Sequence, residues 1–313
     1  MIGERSLLDW LLTKFPDTPK KRAKQWILAG RVKVGGTIVR KANISLPDPG
    51  DKLELLGQHA AAVVYQPEFP LHPRLGLLHL DSSLAIVNKG PGLLSVPSPL
   101  IELSALTILG DVLRGKLRPR QRFFLPPAFR NLRPLPVHRI DRDTSGLLCM
   151  ALNAKARAGL IEQFSEHTIT REYLAYVEGH PKKPRGVWRH WLRLTRDELR
   201  QQVVGEKDAG AVLAVTHYEV VAEFAHAAKL RLRLHTGRKH QIRAQAAHEG
   251  LPLIGDPIYR LGRCRIEFPR QALHAELLGL DHPAMPARRI SWHAPLAADL
   301  RELESSLTRS GRH

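Results

Sequence analysis

The sequence predicts an α+β protein with two domains: a small N-terminal α/β domain and a larger domain built on a mixed, mainly antiparallel β-sheet. The chain has 313 residues, about twice the size of an average domain. Short segments of alternating polar and apolar residues outnumber the helical segments, and Lys229 to His235 alternates strictly. No regular strand–helix repeat is present, which argues against a doubly wound parallel sheet.

Proline and glycine positions suggest the domain boundaries. Gly57, Pro67, Pro70 and Pro73 fall in one stretch that is typical of a connection between folded units. The predicted boundaries are 1–60 for the small domain, 61–75 for a linker, 76–300 for the large domain and 301–313 for a C-terminal tail.

The small domain contains recognisable start, stop and turn signals. Ser6 precedes a run of leucines at helical spacing and is expected to cap a first helix. Thr18-Pro19 starts a second helix, because a capping hydroxyl is followed by a proline suited to the first turn. The alternating segment 31–34 and the Gly35-Gly36 turn then predict a β-hairpin.

Charge and cysteine content limit the functional classes. Lys and Arg number 48 and Asp and Glu number 30, so the formal net charge is +18, which indicates a polyanionic partner such as nucleic acid. The two cysteines, Cys149 and Cys264, are too few for a disulfide scaffold or a cysteine-rich zinc site and suit a reducing cytoplasm. No run of about 18 apolar residues occurs, so no membrane-spanning helix is expected, and an anionic membrane surface is a weaker candidate partner than nucleic acid.

Two basic regions are candidates for RNA binding. The second helix and the strand after it carry one set, Lys20, Lys21, Lys24, Arg31 and Lys33, expected on one convex face. The proline-containing segment from Arg114 to Arg133 lacks acids and includes a second set, Arg118, Arg120 and Arg122, with phenylalanines between the arginines. An ordinary solvated basic surface is the alternative in both regions.

A dense polar segment, Val137 to Leu148, runs into an apolar strand, where a sheet can present a side chain into a cleft. Its Asp141 lies between Arg139 and Arg142, which would keep the carboxylate ionised. Such a carboxylate can act as a nucleophile, a base or an electrostatic stabiliser, and a surface turn with ordinary ion pairs is the alternative.

A second polar segment could supply a partner for that carboxylate. Thr236-Gly237 ends a strand and could cap a helix over about 238–248, on which Lys239 and Arg243 would share a face. Arg243 could then form a two-point pair with a carboxylate at the end of a neighbouring strand. His240 is interpreted as structural, because a lone histidine more often is.

These segments together carry a family resemblance. His138 to Gly146 closely resembles the central motif of the RluA-type RNA pseudouridine synthases, with Ile140 in place of leucine. Further segments match in the order of that family: Asp81 to Gly92, Arg171 to Ala175, Thr236 to Arg243, Gly255 to Tyr259, Leu273 to Ala275 and His282-Pro283. The N-terminal unit resembles the small RNA-binding domain shared by a ribosomal protein and tyrosyl-tRNA synthetases.

The resemblance implies a pseudouridine synthase fold and the isomerisation of a uridine flipped out of a structured RNA, without a metal or a small-molecule cofactor. Asp141 would be the nucleophile, attacking the anomeric carbon or the uracil ring or assisting loss of a ribose proton. Arg243 would hold Asp141, Tyr173 would stack on the base, and Arg139 would fill the space that the base leaves.

Ribosomal RNA is the preferred substrate and transfer RNA the second, and a monomer is the default expectation. The alternatives are a non-catalytic RNA-binding or ribosome-assembly protein on the same scaffold and, more weakly, a DNA-binding regulator.

Overall fold

The computed structural model describes residues 4–16, 18–28, 31–55, 68–119, 125, 127–260, 262 and 265–310. Its N-terminal unit contains two helices and five short strands: β1 Arg5–Ser6, α1 Leu7–Lys14, α2 Lys20–Leu28, β2 Val32–Val34, β3 Thr37–Ile38, β4 Ser45–Leu46 and β5 Leu53–Leu55. Strand β2 pairs with both β3 and β5, and β1 pairs with β4. A 3-10 turn over Gly50–Lys52 precedes β5.

Two of the local signals predicted for this unit are confirmed, the cap at Ser6 and the Gly35-Gly36 turn. The Ser6 hydroxyl accepts a hydrogen bond from the Asp9 amide at 3.1 Å and caps α1, because that amide has no partner within the helix. Gly35 and Gly36 both have positive φ, 57° and 82°, as a tight hairpin turn requires. The core of the unit is formed by buried residues of both helices and two strands, including Leu7, Leu11, Ile27, Val32 and Leu53.

The large unit is organised by one extended sheet. In the described part of the chain this sheet has twelve strands: β6 Phe69–His72, β7 Leu75–Leu80, β8 Leu84–Lys89, β9 Leu135–Pro136, β10 Ser145–Ala151, β11 Thr170–Glu178, β12 Arg185–Leu194, β13 Gln201–Val204, β14 Val212–Phe224, β15 Ala227–Leu234, β16 Leu273–His282 and β17 Met285–His293.

The strand order is β13-β12-β14-β15-β11-β16-β10-β8-β7-β6, with β17 beside β16 and β9 beside β10. Strands β10 and β16 pair in parallel, and the other recorded strand pairs are antiparallel. Gly146 allows the parallel contact, because a Cβ there would lie 2.2 Å from the Ala275 carbonyl oxygen and its φ is 112°. The predicted fold class is confirmed.

Four helices pack on this sheet: α3 Ala105–Leu113, α4 Ala154–Ser165, α5 Gln241–His248 and α6 Ala298–Ser310. A 3-10 turn over Pro127–Phe129 lies between α3 and β9. Helix α5 contacts β12 and β13. Its Ile242 and Ala246 belong to the same buried apolar cluster as Tyr173 and Leu232. In β15, Leu230, Leu232 and Leu234 are buried while Arg231 and Arg233 lie on the opposite face, so the predicted alternation is confirmed.

Two of the predicted boundaries are wrong. Residues 69–72, expected within a linker, form strand β6, since they pair with the strand that follows a two-residue turn. Residues 301–310, expected to be a tail, belong to α6, whose Leu300, Leu303 and Leu307 pack against Tyr176. Residues 56–67 lie outside the described residues. None of the described helices combines the length and the apolarity needed to cross a membrane.

Candidate active site

The loop before β10 is fixed at both ends, and it carries Asp141. On one side, the Ser95 hydroxyl donates to the Ile140 carbonyl at 2.8 Å and accepts from the Ile140 amide at 3.1 Å. On the other side, the fully buried Lys89 ammonium donates to the Arg142 carbonyl at 2.8 Å, and Arg270 donates to the Asp143 carbonyl at 2.9 Å. Because side chains from three other segments bind its backbone, this loop presents Asp141 in one position.

Arg243 connects Asp141 to a second carboxylate. Its Nε and Nη2 bind the two oxygens of Asp256 at 2.7 and 2.9 Å, and its Nη1 binds Oδ2 of Asp141 at 3.0 Å. Arg243 and Asp256 are buried, whereas the Asp141 side chain is 23% exposed. Burial lowers the pKa of Arg243, but the two carboxylates outweigh that effect and raise it above its usual value.

Asp256 is held in turn by the chain around it. Its Oδ1 also accepts from the amides of Ile258 and Tyr259 at 2.9 and 3.0 Å. Burial raises the pKa of Asp256, but the hydrogen bonds and the positive charge of Arg243 have the larger effect and lower it. The pKa of Asp256 therefore lies below its usual value. The guanidinium is therefore clamped by an ionised, fully bonded carboxylate before it reaches Asp141.

Helix α5 begins later than the sequence suggested, at Gln241, because His240 occupies the N-cap with a left-handed backbone, φ 52°. The expectation that Lys239 and Arg243 share a face of the helix is wrong. Lys239 precedes the helix and binds the Glu198 carbonyl. The Tyr259 hydroxyl accepts from the Gln201 amide and lies 3.0 Å from Nδ1 of His240. Nε2 of His240 lies 3.8 Å from Oδ2 of Asp141.

A cavity of about 80 Å³ opens above Asp141. Tyr173 lines it, with only 8% of its surface exposed, and its hydroxyl has no recorded partner among the described residues. Arg139, Arg171 and Arg238 also line the cavity. Burial raises the pKa of Tyr173, so its hydroxyl is protonated at neutral pH. The cavity brings a carboxylate, an aromatic side chain and several arginines to one place.

Two family models match this sequence. The model described as RNA pseudouridylate synthase matches residues 83–248, which is more than half of the chain and includes Asp141, Tyr173 and Arg243. The chain belongs to the RNA pseudouridine synthase family. The model of the S4 domain matches residues 5–53, so the synthase domain is preceded by an S4 domain.

Relatives of this synthase match almost along its whole length. The chain is 34% identical to ribosomal large subunit pseudouridine synthase D of Haemophilus ducreyi, with 98% of this chain and 92% of that protein covered. It is 35% identical to an uncharacterized RNA pseudouridine synthase of Bacillus subtilis, over 94% of this chain and 91% of that protein.

The fold of the synthase domain also occurs in a solved structure, human RNA pseudouridylate synthase domain containing 4. That structure has a TM-score of 0.57 and 21% sequence identity, and the match covers 74% of this chain and 92% of that chain.

The structure brings the three residues predicted for chemistry to one cavity, with Arg139 at its exposed side. Asp256 was not singled out as a site residue from the sequence. An aspartate between Gly255 and Pro257 in an apolar segment is nevertheless a signal for a buried acid that needs a partner. Lys89, which holds the backbone of the loop that carries Asp141, was not predicted either.

The predicted basic face is only partly present on the synthase surface. Lys20, Lys21 and Lys24 are exposed and Lys33 is half-buried, but the placement of Arg31 on this face is wrong. Arg31 is 5% exposed and lies 3.5 Å from Asp281 of the large unit, because the N-terminal unit packs against β16 there.

Of the other residues predicted to bind RNA, some are paired with acids and some lie outside the described part of the chain. Lys21 forms exposed ion pairs with Glu162 and Glu166 of α4 and its neighbouring turn. Arg118 is exposed, while Arg120 and Arg122 lie outside the described residues.

One group of side chains has the composition of a metal site. His79, Asp81 and His282 place their ligand atoms within 4.8 Å of one another, the one such group in the described part of the chain. Nδ1 of His282 accepts from the Ala284 amide, so its Nε2 carries the proton and donates to Asp81 at 2.8 Å. His79 Nε2 lies 2.7 Å from the same oxygen. The hydrogen bonds of this group indicate a structural role.

Proposed function

We propose that this synthase isomerises a specific uridine of large-subunit ribosomal RNA to pseudouridine, with Asp141 as the nucleophile. The contact between Arg243 and Oδ2 of Asp141 is the single observation that carries the proposal. It orients the carboxylate, while Oδ1 has no recorded partner among the described residues.

The ribosomal substrate is inferred from the relatives. Proteins named ribosomal large subunit pseudouridine synthase D match more than nine-tenths of this chain, including its S4 domain. The net charge of +18 suits a structured RNA, because cationic side chains gain from displacing the counterions of a phosphate backbone. Such a substrate places the reaction in the cytoplasm. Transfer RNA and a monomeric state stay predictions.

In the reaction the uracil leaves C1′ of the ribose through N1, turns within the cavity, and is rejoined through C5. The proton on C5 is released to water and N1 takes up a proton, so the product is an isomer of the substrate and the atoms balance without a redox partner. Attack on the anomeric carbon, attack on the uracil ring and assistance in loss of a ribose proton all use Oδ1 of Asp141, the oxygen that Arg243 does not bind. Through Oδ2, Arg243 compensates the charge that changes on this carboxylate during the reaction.

The cavity must hold a base that has left its stack, which costs a few kcal/mol. The ring of Tyr173 supplies a stacking surface that repays part of this cost. Its protonated hydroxyl lies within the same cavity and can donate a proton to the uracil. Arg139, exposed beside Asp141, is placed to occupy the gap in the RNA that the base leaves.

The test uses RNA labelled with tritium on C5 of uridine. Ribosomal RNA from cells that lack this enzyme is incubated with the purified full chain, released tritium is counted, and the modified position is mapped. Release from large-subunit RNA with one new pseudouridine site is expected. Release only from transfer RNA would contradict the ribosomal assignment, and no release from either RNA would contradict the activity.

A further inference from the structure

Arg171 differs from the other buried arginines. Five arginines are buried in the described part of the chain, and four of them pair with an aspartate: Arg22 and Arg31 with Asp281, Arg243 with Asp256 and Asp141, and Arg270 with Asp299. Arg171 is 9% exposed and has no carboxylate partner among the described residues. Its Nε is buried and makes no hydrogen bond. A buried cation without a partner is costly unless a ligand supplies the anion.

The guanidinium of Arg171 lines the active-site cavity. It lies on the same face of β11 as Tyr173, two residues along the strand, and both side chains border the space above Asp141. Its Cζ lies 5.5 Å from the centroid of the Phe164 ring, a contact that helps to fix the guanidinium without neutralising its charge.

The chain leaves room for this group at Gly237. A Cβ on Gly237 would lie 2.3 Å from Nη1 of Arg171, so any larger residue would displace the guanidinium. The φ of Gly237 is not positive, so its backbone conformation does not require glycine. The space that Arg171 occupies beside it accounts for the absence of a side chain. Arg238, the next residue, is exposed at the same cavity and adds a second cation.

We propose that Arg171 binds a phosphodiester of the flipped nucleotide, at a subsite bordered by Gly237 and Arg238. The uracil is neutral, whereas each nucleotide that enters the cavity brings an anionic phosphate on either side of the ribose. A guanidinium binds such a group with two parallel N–H donors. This inference rests on the proposed function, because it assigns a second contact to the same substrate.

The experiment compares Arg171→Met and Arg171→Lys with wild type on large-subunit ribosomal RNA. We expect Arg171→Met to weaken RNA binding about 10- to 100-fold, the range for a lost charged hydrogen bond. It also reduces the slope of log Kd against log salt by about 0.7–0.9, the contribution of one phosphate contact. Arg171→Lys keeps the charge and recovers most of the slope but less of the affinity.

Lys182→Met is the matched control, since it removes one exposed positive charge beyond the far end of β11. About 23 Å of strand separates that end from Arg171, so the control keeps the cavity intact. Gly237→Ala is the second test variant, because it displaces the guanidinium without removing its charge. If Arg171→Met does not fold, Arg171→Lys and Gly237→Ala decide the question.

The proposal would be overturned if the Arg171 and Gly237 variants had the same salt slope and the same Kd as Lys182→Met. A loss of kcat with unchanged Kd and slope would also overturn it and would assign Arg171 to the base. Filter binding gives Kd without turnover. Tritium release by the wild-type protein tests the proposed function separately. Failure of the Arg171 phosphate contact can therefore be distinguished from failure of the proposed function.

Discussion

Asp256 occupies two nitrogens of Arg243 and leaves the third, Nη1, directed at Asp141. Asp256 lies in the loop that follows α5, and Asp141 lies in the loop before β10, so the guanidinium joins segments that are far apart in sequence. Because Asp256 is itself held by the Ile258 and Tyr259 amides, the position of the Asp141 carboxylate depends on a chain of charged hydrogen bonds.

Asp256→Asn should therefore lower kcat more than it raises KM. The asparagine keeps the shape but loses the charge that fixes Arg243, and a lost charged hydrogen bond corresponds to about 1.5–3 kcal/mol, or roughly 10- to 100-fold. Stopped-time tritium release gives both constants, and thermal unfolding of the same variant separates loss of fold from loss of geometry. An unchanged kcat in a folded variant would show that Asp256 does not position the site.

The two domains are joined by a buried charge cluster that can be disrupted selectively. Arg22 binds Asp281 at 2.8 Å, Arg289 binds the same carboxylate at 3.2 Å, and Arg31 lies at 3.5 Å. Burial lowers the pKa of Arg22 to about 10, although Asp281 opposes the shift. Asp281→Asn should destabilise the contact by about 3–5 kcal/mol, since buried guanidiniums lose their counter-charge.

Hydrogen exchange measures this effect as faster exchange in α2 and β2. Glu162→Gln is the control, because it removes an exposed partner of Lys21 and should cost less than about 1 kcal/mol. Equal exchange in the two variants would refute the importance of the buried cluster.

The Asp81 cluster predicts a pH-dependent part of the stability. Burial raises the pKa of Asp81, but hydrogen bonds from His79, His282 and the amides of Ser83 and Leu84 together lower it well below its usual range. A depressed folded-state pKa adds stability above about pH 4, the unfolded value, and this stability is lost as the pH falls toward the folded value.

The free energy of unfolding should therefore differ between wild type and Asp81→Asn by about 1–3 kcal/mol at pH 7, and the difference should narrow below pH 4. Urea denaturation between pH 3 and pH 7 measures it. A difference that stays constant over this range would contradict the assignment of the effect to the ionised carboxylate.

The sequence predicts local features of this protein better than its long-range contacts. The cap at Ser6 and the alternation in β15 depend on neighbouring residues and were predictable. The burial of Arg31 was not, because it depends on Asp281, a residue far along the chain that a single sequence does not pair with it. Helix α6 could have been predicted, since Leu300, Leu303 and Leu307 follow helical spacing.

In the candidate site, too, local features were easier to predict from the sequence than long-range contacts. The motif around Asp141 indicated the carboxylate proposed to react, and helical geometry suggested that Arg243 could reach it. The neighbours of Asp256 signal a buried acid, but they do not specify that its partner is Arg243. Arg171 was visible in the sequence as part of a family segment, but its lack of a counter-charge becomes apparent only when the surrounding side chains are placed.

The most direct test of the account is tritium release from large-subunit ribosomal RNA by Asp141→Asn, with Asp143→Asn as the matched control. Asp143 lies two residues away and its carboxylate pairs with the exposed Arg142. We expect Asp141→Asn to abolish tritium release and to leave the affinity for RNA nearly unchanged. We expect Asp143→Asn to keep tritium release within a few-fold of wild type. Substantial tritium release by folded Asp141→Asn would contradict the central claim.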